Sequence, residues 1–118
     1  MSQYSQQRLE AKISEGISMM IVNGDIKHHD LSSLTSVTRV VLSTDNAYAT
    51  VYVSAPFDEE KVEKSVQALQ SARGFIQKRL GAFMRTKNTP VLTFKRDVGF
   101  QEGEKMDRLL DSLSKHGN

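Results

Sequence analysis

Two helical patterns meet at Ser71-Ala72-Arg73-Gly74 with almost no linker between them. Upstream, Val62, Val66 and Leu69 recur at helical spacing behind Asp58, an N-cap candidate followed by the acids Glu59 and Glu60. Downstream, Ile76, Leu80, Phe83 and Met84 resume the same period at once. The flanking segments read as β-structure. Before the helices stand two β-branched runs, 35–43 and 48–54, separated by Thr44-Asp45-Asn46-Ala47, whose Asp and Asn favour a turn, so an antiparallel hairpin is expected. After them, Leu92 and Phe94 alternate with Thr93 and Lys95 as a third strand, with Pro90 just before its start.

The rest of the chain completes an α+β order. Leu9, Ile13, Ile17, Met20 and Ile21 share one face of a first helix over 5–22, and Asn23-Gly24 supplies its stop. The following stretch, 25–34, shows no period and reads as a loop. Met106, Leu109, Leu110 and Leu113 mark a last helix from about 102 to 115, giving α-β-β-α-α-β-α. With 118 residues and 38% apolar content, a single domain over 1–118 is expected. Cysteine is absent, which excludes disulfides, thiolate zinc sites and thiol nucleophiles. Neither a signal-like start nor an apolar run near the roughly 20 residues of a membrane helix is present, so a soluble, cytoplasmic monomer with no membrane partner is expected.

Charge is distributed unevenly. The chain has 16 basic and 14 acidic residues, yet 70–96 holds seven lysines and arginines and no carboxylate, leaving nine cations to face all the acids elsewhere. Such a patch attracts polyanions far more strongly than a net charge of +2 suggests. On a helical wheel of about 100° per residue, Lys78, Gly81 and Arg85 fall within about 40° of Gly74, with Ile76, Leu80 and Phe83 opposite. Two glycines on the charged stripe let another backbone approach, and a helix starting at Arg73-Gly74 offers free N–H groups to a phosphate. Residue by residue, solvated lysines and tight helix packing explain these features better; the acid-free segment as a whole favours a polyanion.

Catalytic constellations are lacking. Glu59-Glu60 and the pair Glu102 and Glu104 stand at helix starts, where the helix dipole explains them. Ser43-Thr44-Asp45 has no histidine in a triad-like arrangement, and no phosphate-binding glycine loop precedes a lysine. His28-His29-Asp30 is the single cluster with metal-ligand chemistry, but adjacent histidines do not readily face one ion, so neither a metal nor a cofactor is expected. The expectation is a protein that is not an enzyme.

A helix-joint-helix beside a three-stranded sheet, with glycine at the joint and basic residues beyond it, resembles the type II KH fold. The usual GxxG loop is replaced by Ala72-Arg73-Gly74, which resembles the AxG kink of the ribosome-binding factor A family. The similarity extends through "SSLTSVTRVVLSTDNAYATVYVS", "GFIQKRLGAFMRTKNTPVLTF" and "DVGFQEGEKMDRLL". Three departures stand out: Lys87 replaces an arginine, Gly99 replaces a serine whose hydroxyl could make a turn hydrogen bond, and "HHDL" replaces "DPRL".

The resemblance implies a non-catalytic assembly factor that binds the free small (30S) ribosomal subunit and promotes late 16S rRNA maturation, including 5′ end processing. It further implies a cold-adaptation role and a functional link to assembly GTPases. The RNA-binding residues expected on this basis are Ala72, Arg73, Gly74, Lys78, Arg79, Gly81, Arg85, Lys87, Lys95 and Arg96. Two alternatives differ in partner: a general single-stranded RNA-binding KH protein, and an adaptor whose basic face meets an acidic protein.

Overall fold

The computed structural model describes residues 3–86 and 88–99. In chain order it contains α1 (Gln3–Val22), β1 (Ser36–Leu42), β2 (Tyr48–Ser54), α2 (Glu59–Ser71), α3 (Arg73–Met84) and β3 (Val91–Arg96). These follow the first six elements of the expected order. The expected helix at 102–115, with Met106, Leu109, Leu110 and Leu113, lies outside the described residues, as does Lys87.

β2 is the central strand, antiparallel to β1 and parallel to β3. A parallel neighbour cannot be reached by a hairpin, and α2 with α3 forms the crossover. Because side chains alternate along a strand, Ala49, Val51 and Val53 of β2 share the buried face with Val40, Leu42, Leu92 and Phe94. Against this face pack Ile13, Ile17, Met20 and Ile21 of α1, Val66 and Leu69 of α2, and Ile76 and Leu80 of α3. β1 reaches the core only by breaking strict alternation. Its pairing shifts between Val37 and Arg39, and the extra residue, Thr38, lets Val37 turn inward three positions before Val40.

Side-chain acceptors from the helices close both outer edges of the sheet. Leu42 of β1 donates its N–H to Glu10 Oε2 of α1 at 2.9 Å. On β3, Leu92 donates to Gln77 Oε1 at 3.3 Å and Phe94 to Gln70 Oε1 at 2.9 Å. Edge N–H groups that could recruit another chain are thereby used to fasten the helices to the sheet. The loop between α1 and β1 is fastened similarly, by the buried Ser65 of α2, whose hydroxyl donates to the Asp30 carbonyl at 3.2 Å.

One residue joins α2 to α3. Ala72 has φ −92° and ψ 7°, serves as C-cap of the first helix and N-cap of the second, and accepts the N–H of Ile76 at 3.0 Å. Its own N–H donates to Ala68 and Leu69, both at 3.1 Å.

Candidate nucleic-acid interface

The two helices begin in opposite ways. α2 starts with Asp58, whose Oδ1 accepts the Lys61 N–H at 2.9 Å, followed by Glu59 and Glu60 in its first turn. α3 starts with Ala72, which has no side chain to cap it, and its first turn holds no acid. The positive end of α3 is therefore left without a compensating carboxylate, and the exposed Arg73 adds to it. Gly74 lies within this first turn. It is not among the residues of positive φ, and a Cβ added there would meet nothing within 4 Å. The chain turns at Ala72, and the missing side chain of Gly74 leaves open space beside the first turn of α3.

At the other end, the expected continuation of the helix through Arg85 is corrected. α3 stops at Met84, and Arg85 takes the left-handed conformation with φ 55°. Its N–H donates to the Ala82 carbonyl at 3.3 Å and that of Thr86 to the Gly81 carbonyl at 3.0 Å, the paired bonds of a Schellman stop. Gly81 leaves room for this return: a Cβ would stand 3.2 Å from the Thr86 carbonyl oxygen and 3.4 Å from Thr89 Cγ2, close enough to press on both. The backbone that approaches Gly81 is the chain's own. The result is an open groove of about 450 Å³ lined by Gln77, Lys78, Gly81, Ala82, Arg85, Thr86 and Thr89. Lys78 and Arg85 thus converge on one concavity despite the helix ending between them. Thr86, whose hydroxyl bonds the Asn88 backbone at 3.3 Å, and Thr89 complete a lining that sequence periodicity could not assign, because they belong to the returning loop.

The remaining cations go elsewhere. Arg79 pairs with Asp25 at 3.2 Å and lies 5.6 Å from the Phe75 ring, on the α1 side of the helix. Phe83, expected in the apolar cluster, is 42% exposed on that same side, near Met19. Arg96 pairs with Glu59 at 3.6 Å. Lys95 is exposed beside Tyr52, on the sheet face turned away from the helices. Of the predicted set, Gly74, Lys78, Gly81 and Arg85 lie along one side of α3, with Ala72 and Arg73 at its start.

His28, His29 and Asp30 come closer together than adjacency suggested. The imidazole rings stack with centroids 5.0 Å apart, and the three donor groups lie within 4.8 Å of one another in a surface loop. At the far end of β3, Thr38 donates its hydroxyl to Asp97, and Gly99 donates its N–H to the same carboxylate at 2.8 Å. These bonds, with the charge of Arg39, hold the Asp97 carboxyl below its ordinary range. Gly99 has φ 74°, a conformation that residues with a side chain rarely adopt, and its backbone N–H closes the turn on Asp97.

Fold and surface together define a small α+β domain that presents an acid-free cationic helix face with an open groove. The sequence profile described as ribosome-binding factor A matches residues 5–110, and the chain belongs to that family. A ribosome-binding factor A of Treponema denticola is 42% identical over 113 residues, spanning 96% of this chain and 86% of that protein. The crystal structure of ribosome-binding factor A from Thermus thermophilus matches with a TM-score of 0.66 at 27% identity, covering 77% of this chain and 93% of that one. A homology model of the Thermus thermophilus factor, as fitted into the cryo-EM map of a complex of that factor with 30S, matches with a TM-score of 0.61 at 28% identity, over 75% of this chain and 90% of that one.

Proposed function

We propose that this chain is a non-catalytic assembly factor that binds the free 30S subunit through the α3 groove and promotes late 16S rRNA maturation, including 5′ end processing. The observation that carries this reading is the convergence of Lys78 and Arg85 on one groove beside a helix face that holds no carboxylate from residue 73 to 86. Family membership and the likeness to the Thermus thermophilus factor fitted into a 30S complex support the choice of rRNA as the polyanion. In this reading the domain is KH-like of type II, with Ala72-Arg73-Gly74 in place of the GxxG loop. The uncapped start of α3 and the open space at Gly74 receive one phosphate, and Lys78 and Arg85 receive others further along the strand.

The protein acts in the cytoplasm, as a monomer. It biases rRNA toward one arrangement rather than cutting or modifying it, and low temperature, which stabilises misfolded RNA helices, makes that bias most necessary. Deletion of the gene should slow growth more in the cold and leave unprocessed 16S precursor in free small subunits. Unchanged precursor, with altered stability of particular messengers instead, would favour a general single-strand RNA-binding role and overturn the assembly reading.

A further inference from the structure

The face of the sheet turned away from the helices has a composition that solvent exposure alone does not account for. Tyr48, Thr50, Tyr52 and Ser54 alternate with the buried residues of β2 and point to this side. The strand register puts Arg39 and Lys95 on either side of Tyr52, and Val91 beside Tyr48. The guanidinium carbon of Arg39 lies 4.3 Å from the centre of the Tyr52 ring. Tyr48 is 61% exposed, and Val41 and Val91 on the same face are 43% and 42% exposed. None of the three strands contains Asp or Glu. Among the described residues, Asp45 and Asp97 stand at the two ends of the sheet and are held by hydroxyl and backbone donors.

We propose that this open face is a second RNA site, a platform that stacks a single-stranded segment along Tyr52, Arg39 and Tyr48. Aromatic rings and guanidinium planes stack on bases, flanking cations meet the phosphates, and sheet faces of this composition bind unpaired strands. Tyr48 and Tyr52 are separated by about 13 Å of strand, room for about two or three bases. The paired hydroxyls of Thr50 and Thr93 lie between them for base edges. The platform is on the other side of the sheet from α3, so one molecule can hold a single strand there while the α3 groove grips phosphates elsewhere. It extends the proposed function, on which it rests only for the choice of RNA as polyanion, from one contact to a bridge between two rRNA segments.

The chain has no tryptophan and three tyrosines, two of them on this face, so tyrosine emission reports its occupancy directly. The full chain is titrated with a labelled oligouridylate and with an RNA duplex of equal length. The single strand should bind the more tightly and quench tyrosine emission. In the variant Arg39→Gln/Tyr52→Leu the affinity should fall by at least about fivefold with loss of quenching, while Tyr52→Phe, which keeps the ring, binds as wild type. Arg39→Gln/Lys95→Gln, confined to exposed side chains, provides a second measure if the first variant fails to fold. Wild-type affinity for oligouridylate in either folded double variant overturns the platform, as does preference for the duplex. A concentration-dependent dimer that Tyr48→Ser disperses would also overturn it, by showing that a second copy covers the face. The α3 reading is scored separately, by cosedimentation of the Lys78→Glu/Arg85→Glu variant with small subunits, so either site can fail while the other stands.

Discussion

Phe94 donates its backbone N–H to the side-chain Oε1 of Gln70 at 2.9 Å, and this bond ties the last turn of α2 to the free edge of β3. Gln77 repeats the contact at Leu92 from the other side of the Ala72 joint, at 3.3 Å. Two amides seven residues apart thus hold a joint that has no capping side chain of its own. Gln70→Ala should lower stability by about 1 kcal/mol, and Gln70→Ala/Gln77→Ala by about twice that, measured by urea unfolding. An unchanged midpoint would show that water replaces the amides without loss.

Lys78 and Arg85 carry the phosphate-facing reading. Lys78→Glu/Arg85→Glu should abolish binding to small subunits, and single charge removals should each reduce the salt slope of binding by about one unit. Both side chains are exposed, so the stability of the double variant should stay within about 0.5 kcal/mol of wild type. Cosedimentation equal to wild type, from a folded variant, would remove the α3 groove from the proposed function.

The two glycines of α3 should behave differently. Gly74→Ala places a methyl in open space within a helix and should stabilise the fold by up to about 1 kcal/mol while weakening RNA binding. Gly81→Ala should fall short of that gain, because its Cβ would stand 3.2 Å from the Thr86 carbonyl oxygen and press on the loop that forms the groove wall. Thermal unfolding of the two variants side by side tests the contrast. Gly74→Ala that is stabilised and binds fully would show that no phosphate sits at the start of α3.

Acid should loosen the end of β3. The Thr38 hydroxyl and the Gly99 N–H, with the charge of Arg39, depress the pKa of Asp97 below its unfolded value, so the stabilisation is fully present above about pH 4 and lost as pH falls through the folded value. Asp97→Asn should remove that part of the acid dependence while leaving the neutral-pH fold in place. Unfolding midpoints of both proteins, followed from pH 6 down to about pH 3, should converge at the acid end. Parallel curves would show that Asp97 does not contribute.

By itself the sequence determined the order of the elements as far as β3 and most of the residues that each helix buries. Periods of 3.6 and 2 are local properties, so Ile13 and Ile17, Ile76 and Leu80, and Leu92 and Phe94 could be assigned to one face of their elements before any fold was known. The acid-free segment was equally legible, and so were the residues that make the family resemblance, because composition and motif require no coordinates. Tertiary structure decided which cations share a surface. Arg79 and Arg96 belong to the same run as Lys78 and Arg85, yet Asp25 and Glu59, distant in sequence, pair with them, and the parallel placement of β3 sends Lys95 to the opposite face beside Tyr52. The groove exists because Arg85 enters the left-handed region and returns the chain over Gly81, a stop that a helical wheel continues straight through. Spacing along the chain fixes only the direction a side chain leaves its own element; what it meets there depends on which other element has been packed against it.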